Sequence, residues 1–419
     1  MKVKVSTLMS CGVLWCVALD IGLQNLPILN LFYFGHSNQI QTWLYILMAV
    51  VCLFAPGIRN EINGYLKGIN LFVTTLIILF LFLIYYTNEY TNQSLQETIN
   101  VALTYLKILL VYPVVYILHK EGERRVENGI IALAIIYLLY SGFAACIYNT
   151  TGVNINENII RTEQWQRMGL VRIQSISISW LACVLLFKRW ICEKRAIALV
   201  GTMSILGYII FINQGRACYV AMIASLLTMY ILKRRRSKNQ LAVYFGISVI
   251  FLCLLYSGVI DSFIMTFRPD YSGSYTASTT ATRLAQINLF RDMIERMPLS
   301  YFGGLGLRNF IPTIDKWGNE QTYYFLDTGL LGDFFNLGVI VLVMVVPTLA
   351  ILFKCIQHNK LQKNNAYYFS IGVVMFVLVG SIGYTVFSYA RIITLPFIWA
   401  FCAYYKYNDA EQQKGYEGL

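Results

Sequence analysis

Apolar segments long enough to cross a lipid bilayer recur along this chain, and they limit the folds open to it. A helix needs about 20 mostly apolar residues to cross the hydrocarbon core. Hydrophobic residues make up 57% of the sequence and charged residues only 13%, whereas a soluble domain carries about a quarter charged residues. The sequence therefore predicts an all-α, polytopic integral membrane protein that forms a single membrane domain over 1–419.

The apolar pattern predicts about 12 transmembrane helices with one large loop between them, at 262–325. Lys2 and Lys4 precede the first apolar run, and no small-residue cleavage site follows it, so we expect an uncleaved first helix. The helices are expected near 7–34, 39–56, 69–86, 96–118, 129–148, 173–187, 196–213, 217–232, 241–261, 326–353, 366–387 and 392–405.

The distribution of cations predicts the orientation, because cationic loops stay on the cytoplasmic side. With the N-terminus placed inside, 21 Lys and Arg residues fall in cytoplasmic segments and 11 fall outside. Both termini are thus predicted to be cytoplasmic, and the loop 262–325 to be extracytoplasmic. The net charge of +12 is mostly this orientation signal, so nucleic acid is not indicated as a partner.

The cations predicted outside are almost all arginine. A guanidinium binds phosphate or carboxylate through a planar pair of donors, whereas a lysine ammonium acts as a point charge. Two readings stay open, namely ion pairing with external acids and binding of an anionic, phosphate-bearing substrate. The cations are Arg161, Arg167, Arg172, Arg216, Arg268, Arg283, Arg291, Arg296, Arg308 and Arg391, with the single lysine Lys316.

Within the large loop, residues 281–297 have the periodicity of an amphipathic helix, which would lie along the membrane surface or cover a cavity. Thr279 or Thr280 is expected to cap its start, and Pro298 to stop it. Glycines 303, 304 and 306 follow and permit a tight turn. The apolar residues recurring at three-to-four spacing are Leu284, Ile287, Phe290, Ile294 and Met297.

The arginines of this helix differ in the partners that the sequence offers them. Arg291 has Glu295 four residues on, and Asp292 has Arg296 four residues on, so both pairs can close along a helix. Arg283 has no acidic residue at three or four positions in either direction. The spacing therefore favours Arg283 as the ligand of an anionic substrate.

Arg216 lies in the very short turn "NQGRACYVA" at the expected outer end of a helix. Such a charge at the edge of a span often only extends its side chain to the interface. The turn is too tight to move freely, which favours a functional role. Arg167 and Arg172 lie in the loop 149–172 that leads into the next predicted span, and Arg391 begins the last predicted span.

Several motifs, taken in order, resemble the O-antigen polymerase and O-antigen ligase superfamily. Arg283, the apolar-patterned helix, Met297-Pro298-Leu299 and the glycine turn resemble the extracytoplasmic loop of that family. "YYFLDTGLLGDFFNLGVIVLV", "NQGRACYVA" and "RMGLVR" are similar to its flanking elements. The resemblance covers roughly 165–345 in motifs and the whole chain in topology.

This resemblance implies a polymerase of surface polysaccharide (O-antigen, capsule or exopolysaccharide) in the bacterial cytoplasmic membrane. Undecaprenyl-pyrophosphate-linked repeat units would be joined by glycosyl transfer at its outer face. Arginines would stabilise the charge that grows on the leaving pyrophosphate, so neither a metal nor a cofactor is expected. For this reaction we expect Arg283 and Arg216 to be catalytic. Asp327, ahead of Glu320 and Asp315, is a carboxylate near the end of the loop and is expected either to act as the base or to pair with a loop arginine. The expected substrate-binding residues are Arg167, Arg172, Arg268 and Arg308.

Two other functions stay open. A ligase that transfers finished glycan is disfavoured, because ligases of this family carry a histidine near the end of the loop and this chain has none there. A flippase or exporter of the lipid-linked unit would place charges through the membrane.

Asp20 and Lys107 lie within predicted spans and are either functional or a structural ion pair. The implied partners are the lipid-linked oligosaccharide, membrane lipid, and a chain-length regulator and flippase of the same pathway.

Overall fold

The computed structural model describes residues 4–21, 37–91, 93–155, 166–167, 170–171, 173, 177–213, 216–234, 275–308, 310–314 and 320–417, and the structural statements below refer to these residues. The described residues are 83% helical, which confirms the mostly helical class. Two short antiparallel hairpins interrupt the helices, β1–β2 (Gln166–Arg167 and Leu170–Val171) and β3–β4 (Phe310–Ile314 and Glu320–Tyr324). The sequence pattern did not predict either hairpin.

Sixteen α-helices follow one another in the described part of the chain. In order they are α1 (Val5–Asp20), α2 (Ser37–Phe54), α3 (Pro56–Leu66), α4 (Ile69–Tyr90), α5 (Leu95–Tyr105), α6 (Val111–Glu121), α7 (Glu123–Thr151), α8 (Ile178–Glu193), α9 (Ala196–Tyr208), α10 (Arg216–Arg234), α11 (Tyr275–Arg296), α12 (Ser300–Gly303), α13 (Leu330–Leu337), α14 (Ile340–Asn359), α15 (Asn365–Gly380) and α16 (Thr394–Glu417).

Five of the helical segments in the described part of the chain are long and apolar enough to cross a membrane. A sixth candidate is the pair α2–α3, which is bent by 92°, and α1, α10 and α15 contain shorter apolar helices. These helices support a membrane-embedded protein. The larger number of spans stays a prediction, and the predicted span 241–261 lies outside the described residues. The five segments are Ile69–Tyr90, Leu95–Glu121, Glu123–Thr151, Ala196–Asn213 and Ile340–Asn359.

Two predicted spans near the C-terminus are broken in the structure. The expected helix 326–353 is interrupted at Gly329 and Gly338, whose φ angles of +64° and +62° are incompatible with a continuous right-handed helix. The short helix α13 therefore precedes the membrane-spanning helix α14 instead of continuing into it. The expected span 366–387 ends as α15 at Gly380, and turns occupy 381–393 before α16 begins.

The core forms where helices distant in sequence pack closely. Helix α10 lies along α15, where Gly372 admits the side chain of Met229 and the Ser225 hydroxyl donates to the Gly372 carbonyl at 2.7 Å. On the neighbouring α8, the ring of Trp180 stacks on Phe376 with centroids 4.1 Å apart. Small residues let helix backbones approach closely. In lipid, the van der Waals packing that results stabilises helix association, because the hydrophobic effect does not act between helices there.

Two groups of charged side chains inside the bundle form ion pairs. Lys107 forms an ion pair with Asp20, so these two residues are partners, one of the alternatives that the sequence left open. Lys188 is buried and contacts both Glu123 and Glu127, and Arg189 bonds Glu127 at 2.6 Å. A buried charge is tolerated only when it is paired, so both groups have a structural explanation.

The helix predicted at 281–297 is present as α11, but it begins at Tyr275 and not at Thr279 or Thr280. Phe290 and Ile294 lie on the buried face of α11, as expected. Leu284 is 58% exposed, whereas the neighbouring Gln286 is 2% exposed, so the buried face is rotated from the predicted one at this end. The cluster that α11 covers also contains Leu305, Ile311, Phe325 and Phe335.

Candidate functional site

The glycine turn after α11 is fixed to the end of α4. The Tyr86 hydroxyl donates to the carbonyls of Pro298 and Gly304 at 3.0 and 3.1 Å. Next to it, the Thr87 hydroxyl accepts a hydrogen bond from the Leu307 backbone N–H at 2.8 Å. A side-chain hydroxyl at the end of a helix thus satisfies backbone groups of a loop more than 200 residues away.

The same turn packs against α13. The N–H of Leu305 donates to the Phe335 carbonyl at 2.7 Å, and the N–H of Gly306 donates to the Asn336 carbonyl at 3.1 Å. Gly304 has a φ of +66°, and a Cβ there would lie 2.6 Å from the Gly338 nitrogen and closer still to the Asn336 carbonyl. Only glycine fits such a backbone conformation and such an approach.

Arg308 leaves this turn half-buried. Its backbone N–H donates to Asn336 Oδ1 at 3.4 Å, and its side-chain Nε is buried without a hydrogen-bond partner among the described residues. Burial lowers the pKa of the Arg308 guanidinium, and the charge of Glu97 opposes that shift. A desolvated cation with unused donors is an unfavourable arrangement in isolation, and a bound anion would relieve it.

Asp333 lies on α13, one turn before Asn336, and is 2% exposed. Its Oδ2 has no hydrogen-bond partner among the described residues. Burial raises the pKa of the Asp333 carboxyl to about 7, while the Thr385 hydroxyl and the Arg391 guanidinium oppose the shift. This carboxyl therefore exchanges its proton near neutral pH.

Arg391 lies in the turns between α15 and α16, in a fixed position near Asp333. Its guanidinium carbon is 3.9 Å from the centre of the Tyr384 ring, and its Nη1 donates to the Thr385 carbonyl at 3.4 Å. The stacking and the hydrogen bond both restrict the guanidinium plane. No described carboxylate lies within ion-pair distance of Arg391.

The structure places the arginines of α11 on its exposed side. Arg283 is exposed and has no ion pair with a described residue, as its sequence spacing predicted. The predicted pair Arg291–Glu295 is confirmed at 3.9 Å. The predicted pair between Asp292 and Arg296 is wrong, because Asp292 lies instead 3.6 Å from Arg291.

Other predicted site residues are described only in part or not at all. Arg216 begins α10, Arg167 lies in β1, and Asp327 lies in the 3₁₀ turn Phe325–Thr328, but their side chains are outside the described atoms. Arg172 and Arg268 lie outside the described residues. Their roles therefore stay predictions.

The contributions of Asp333 and Asn336 were missed by sequence reasoning. Both fall inside the predicted span 326–353, where a polar residue is easily taken for an interruption of an apolar helix. Gly329 and Gly338, which bracket them nine residues apart, were the signal that a separate short element was present. Arg391 was counted among the arginines predicted to lie outside, but it was not named as a site residue.

No family model matches this sequence, and no curated protein matches it.

Proposed function

We propose that this protein is a polysaccharide polymerase of the bacterial cytoplasmic membrane. It would join undecaprenyl-pyrophosphate-linked repeat units by glycosyl transfer at the outer face, with both termini in the cytoplasm. The observation that carries the proposal is Arg308, a half-buried guanidinium with an unpartnered Nε beside the glycine turn. The motif resemblance of the sequence supports the same reaction.

In this reaction a sugar hydroxyl of one lipid-linked unit attacks the anomeric carbon of another, and the undecaprenyl pyrophosphate leaves. Negative charge grows on the pyrophosphate as the glycosidic bond breaks. A positioned arginine stabilises that charge more in a desolvated site than in water. Arg308 fits this role best among the described arginines of α11 and its turn, because the other three are exposed.

Arg283, Arg216 and Asp327 keep their proposed catalytic roles. Arg283 would reach the pyrophosphate from α11, where its exposed side chain is free of described acidic partners. Arg167, Arg172 and Arg268 are proposed as further substrate contacts. The partners would be the lipid-linked oligosaccharide and the surrounding lipid, together with a flippase and a chain-length regulator of the same pathway.

Deletion of the gene and complementation with Arg308→Lys test the proposal. Deletion should leave single repeat units on the cell surface and no long chains. Arg308→Lys keeps the charge but loses the planar donor pair, so chain elongation should fall by roughly one to two orders of magnitude. Arg296→Lys is the matched control, because Arg296 is an exposed arginine of the same loop. Normal long chains from the Arg308 variant would contradict its role.

The same deletion separates the rival functions. Lipid-linked units that accumulate on the cytoplasmic leaflet would identify a flippase. Full-length polymer retained on its carrier lipid would identify a ligase. Either outcome would replace the polymerase proposal.

The proposed orientation has its own test. In a variant without native cysteines, Phe310→Cys in the β3–β4 hairpin should react with a membrane-impermeant thiol reagent in cells whose outer membrane, if present, has been removed. Ser237→Cys, in a segment predicted to be cytoplasmic, should react only after the membrane is permeabilised. The reverse pattern would overturn the assignment of the outer face.

A further inference from the structure

Two arginines that form no ion pair with a described residue approach the same short helix from different parts of the chain. Arg308 is joined to α13 through the side chain of Asn336, and Arg391 acts electrostatically on Asp333. Asp333 and Asn336 are three residues apart, so their side chains lie on one face of α13. The fold thereby brings two arginine residues from distant parts of the chain close to one short helix.

The Arg391 guanidinium can bind a ligand, because most of its N–H donors make no hydrogen bond to a described residue. The guanidinium stacks on Tyr384 and makes a single side-chain hydrogen bond to a described residue, the Thr385 carbonyl. Most of its N–H donors therefore remain available to an oxyanion. Arg391 is only partly exposed, and partial burial strengthens its interaction with a phosphate.

The surroundings of Arg391 hold further buried polar groups. Asp333 Oδ2 and the hydroxyl of Ser388 are buried without hydrogen-bond partners among the described residues. Tyr105 lies within electrostatic reach of Asp333, and Ser388 precedes Arg391 by three residues. Buried polar atoms are seldom left unbonded in native proteins, so their concentration here is a second indication of a ligand site.

We propose that Arg391 is a second binding residue for the substrate diphosphate, beside the same helix α13 as Arg308, and that Asp333 couples this binding to the uptake of a proton. The proposal rests on the proposed function for the identity of the anion as a lipid-linked diphosphate. Arg391 would contact the ligand directly. Asp333 is a positioning residue, because it acts through Arg391.

The direction of the coupling follows from the charges that face Asp333. Arg391 is the cation near it, and Tyr105 faces it from α5 as a neutral phenol. Burial raises the pKa of the Asp333 carboxyl to about 7. Below that pH the carboxyl is neutral, and the field of Arg391 acts on the anion undiminished. Above it the carboxylate offsets part of that field, and a bound diphosphate would raise the pKa further. Binding should therefore take up a proton and weaken as the pH rises through 7.

The test is a titration of the purified protein in nanodiscs with farnesyl diphosphate at pH 6 and pH 8. Inorganic pyrophosphate, titrated in parallel, distinguishes a lipid-linked ligand from a free anion. Arg391→Lys should weaken farnesyl diphosphate binding on the order of tenfold, whereas Arg296→Lys should leave it unchanged. The wild type should lose roughly three- to tenfold more affinity between pH 6 and pH 8 than Asp333→Asn, a comparison that cancels the titration of the ligand itself.

Unchanged binding by Arg391→Lys, in protein that melts at the wild-type temperature, would overturn the assignment, as would the absence of binding to the wild type. Equal pH dependence of the wild type and Asp333→Asn would overturn the coupling. Pyrophosphate that binds as tightly as farnesyl diphosphate would overturn the lipid-linked ligand. If Arg391→Lys weakens binding but the deletion strain still makes long chains, the binding site stands and the proposed polymerase function fails.

Discussion

Replacement of Gly304 by alanine should separate α13 from the glycine turn. The φ of +66° with ψ of −149° belongs to a region that is nearly confined to glycine, and an alanine there costs roughly 1–3 kcal/mol. The added Cβ would also overlap the backbone of Asn336 and Gly338. Overpacking of this kind costs roughly 1–3 kcal/mol more, because backbone atoms cannot move aside as a flexible side chain can.

The expected destabilisation of Gly304→Ala is therefore about 2–6 kcal/mol from the two effects together. Since Leu305 and Gly306 are bonded to α13 beside this residue, the displacement should also move Arg308 and reduce chain elongation. The assay is the melting temperature of detergent-solubilised protein, measured by size-exclusion chromatography after heating. Glycan chain length on a gel, normalised to the amount of membrane protein, gives the functional readout.

Gly207→Ala in α9 is the matched control. A Cβ at Gly207 meets no atom within 4 Å, and its φ is not positive. Alanine should there stabilise the helix by up to about 1 kcal/mol. If Gly304→Ala melts at the same temperature as Gly207→Ala and still makes long chains, the close packing of the turn against α13 is refuted.

Two further predictions concern charged residues. Lys188→Met should destabilise the protein by roughly 3–5 kcal/mol, because it leaves the partly buried Glu123 without a cation and the buried Glu127 with Arg189 alone. Arg125→Met, which breaks an ion pair whose arginine side chain is 61% exposed, should cost at most about 1 kcal/mol; equal melting temperatures would contradict the difference in burial. Arg283→Lys should shorten glycan chains at normal protein levels, whereas Arg291→Lys, whose pair with Glu295 is exposed, should be nearly silent. Equal chain lengths in the last two variants would remove Arg283 from the proposed site.

Features that depend on neighbours along the chain were predictable from the sequence. Hydropathy indicated the membrane class, and the periodicity of residues 281–297 indicated the helix that the structure contains as α11. The pair Arg291–Glu295 followed from a spacing of four residues. Asp292–Arg296 has the same spacing but does not form, because exposed side chains of this kind gain only a few tenths of a kcal/mol from pairing.

The tertiary structure alone decided which polar residues are buried together. Hydropathy averaged over 326–353 conceals the two positive-φ glycines that make α13 a separate helix. The burial of Arg308, Asp333 and Arg391 depends on contacts between α13, the glycine turn and the segment 381–393. Whether a charged group is desolvated depends on residues that are distant in sequence. The sequence therefore identified these residues as charged, but it could not show which of them are buried without an ion-pair partner.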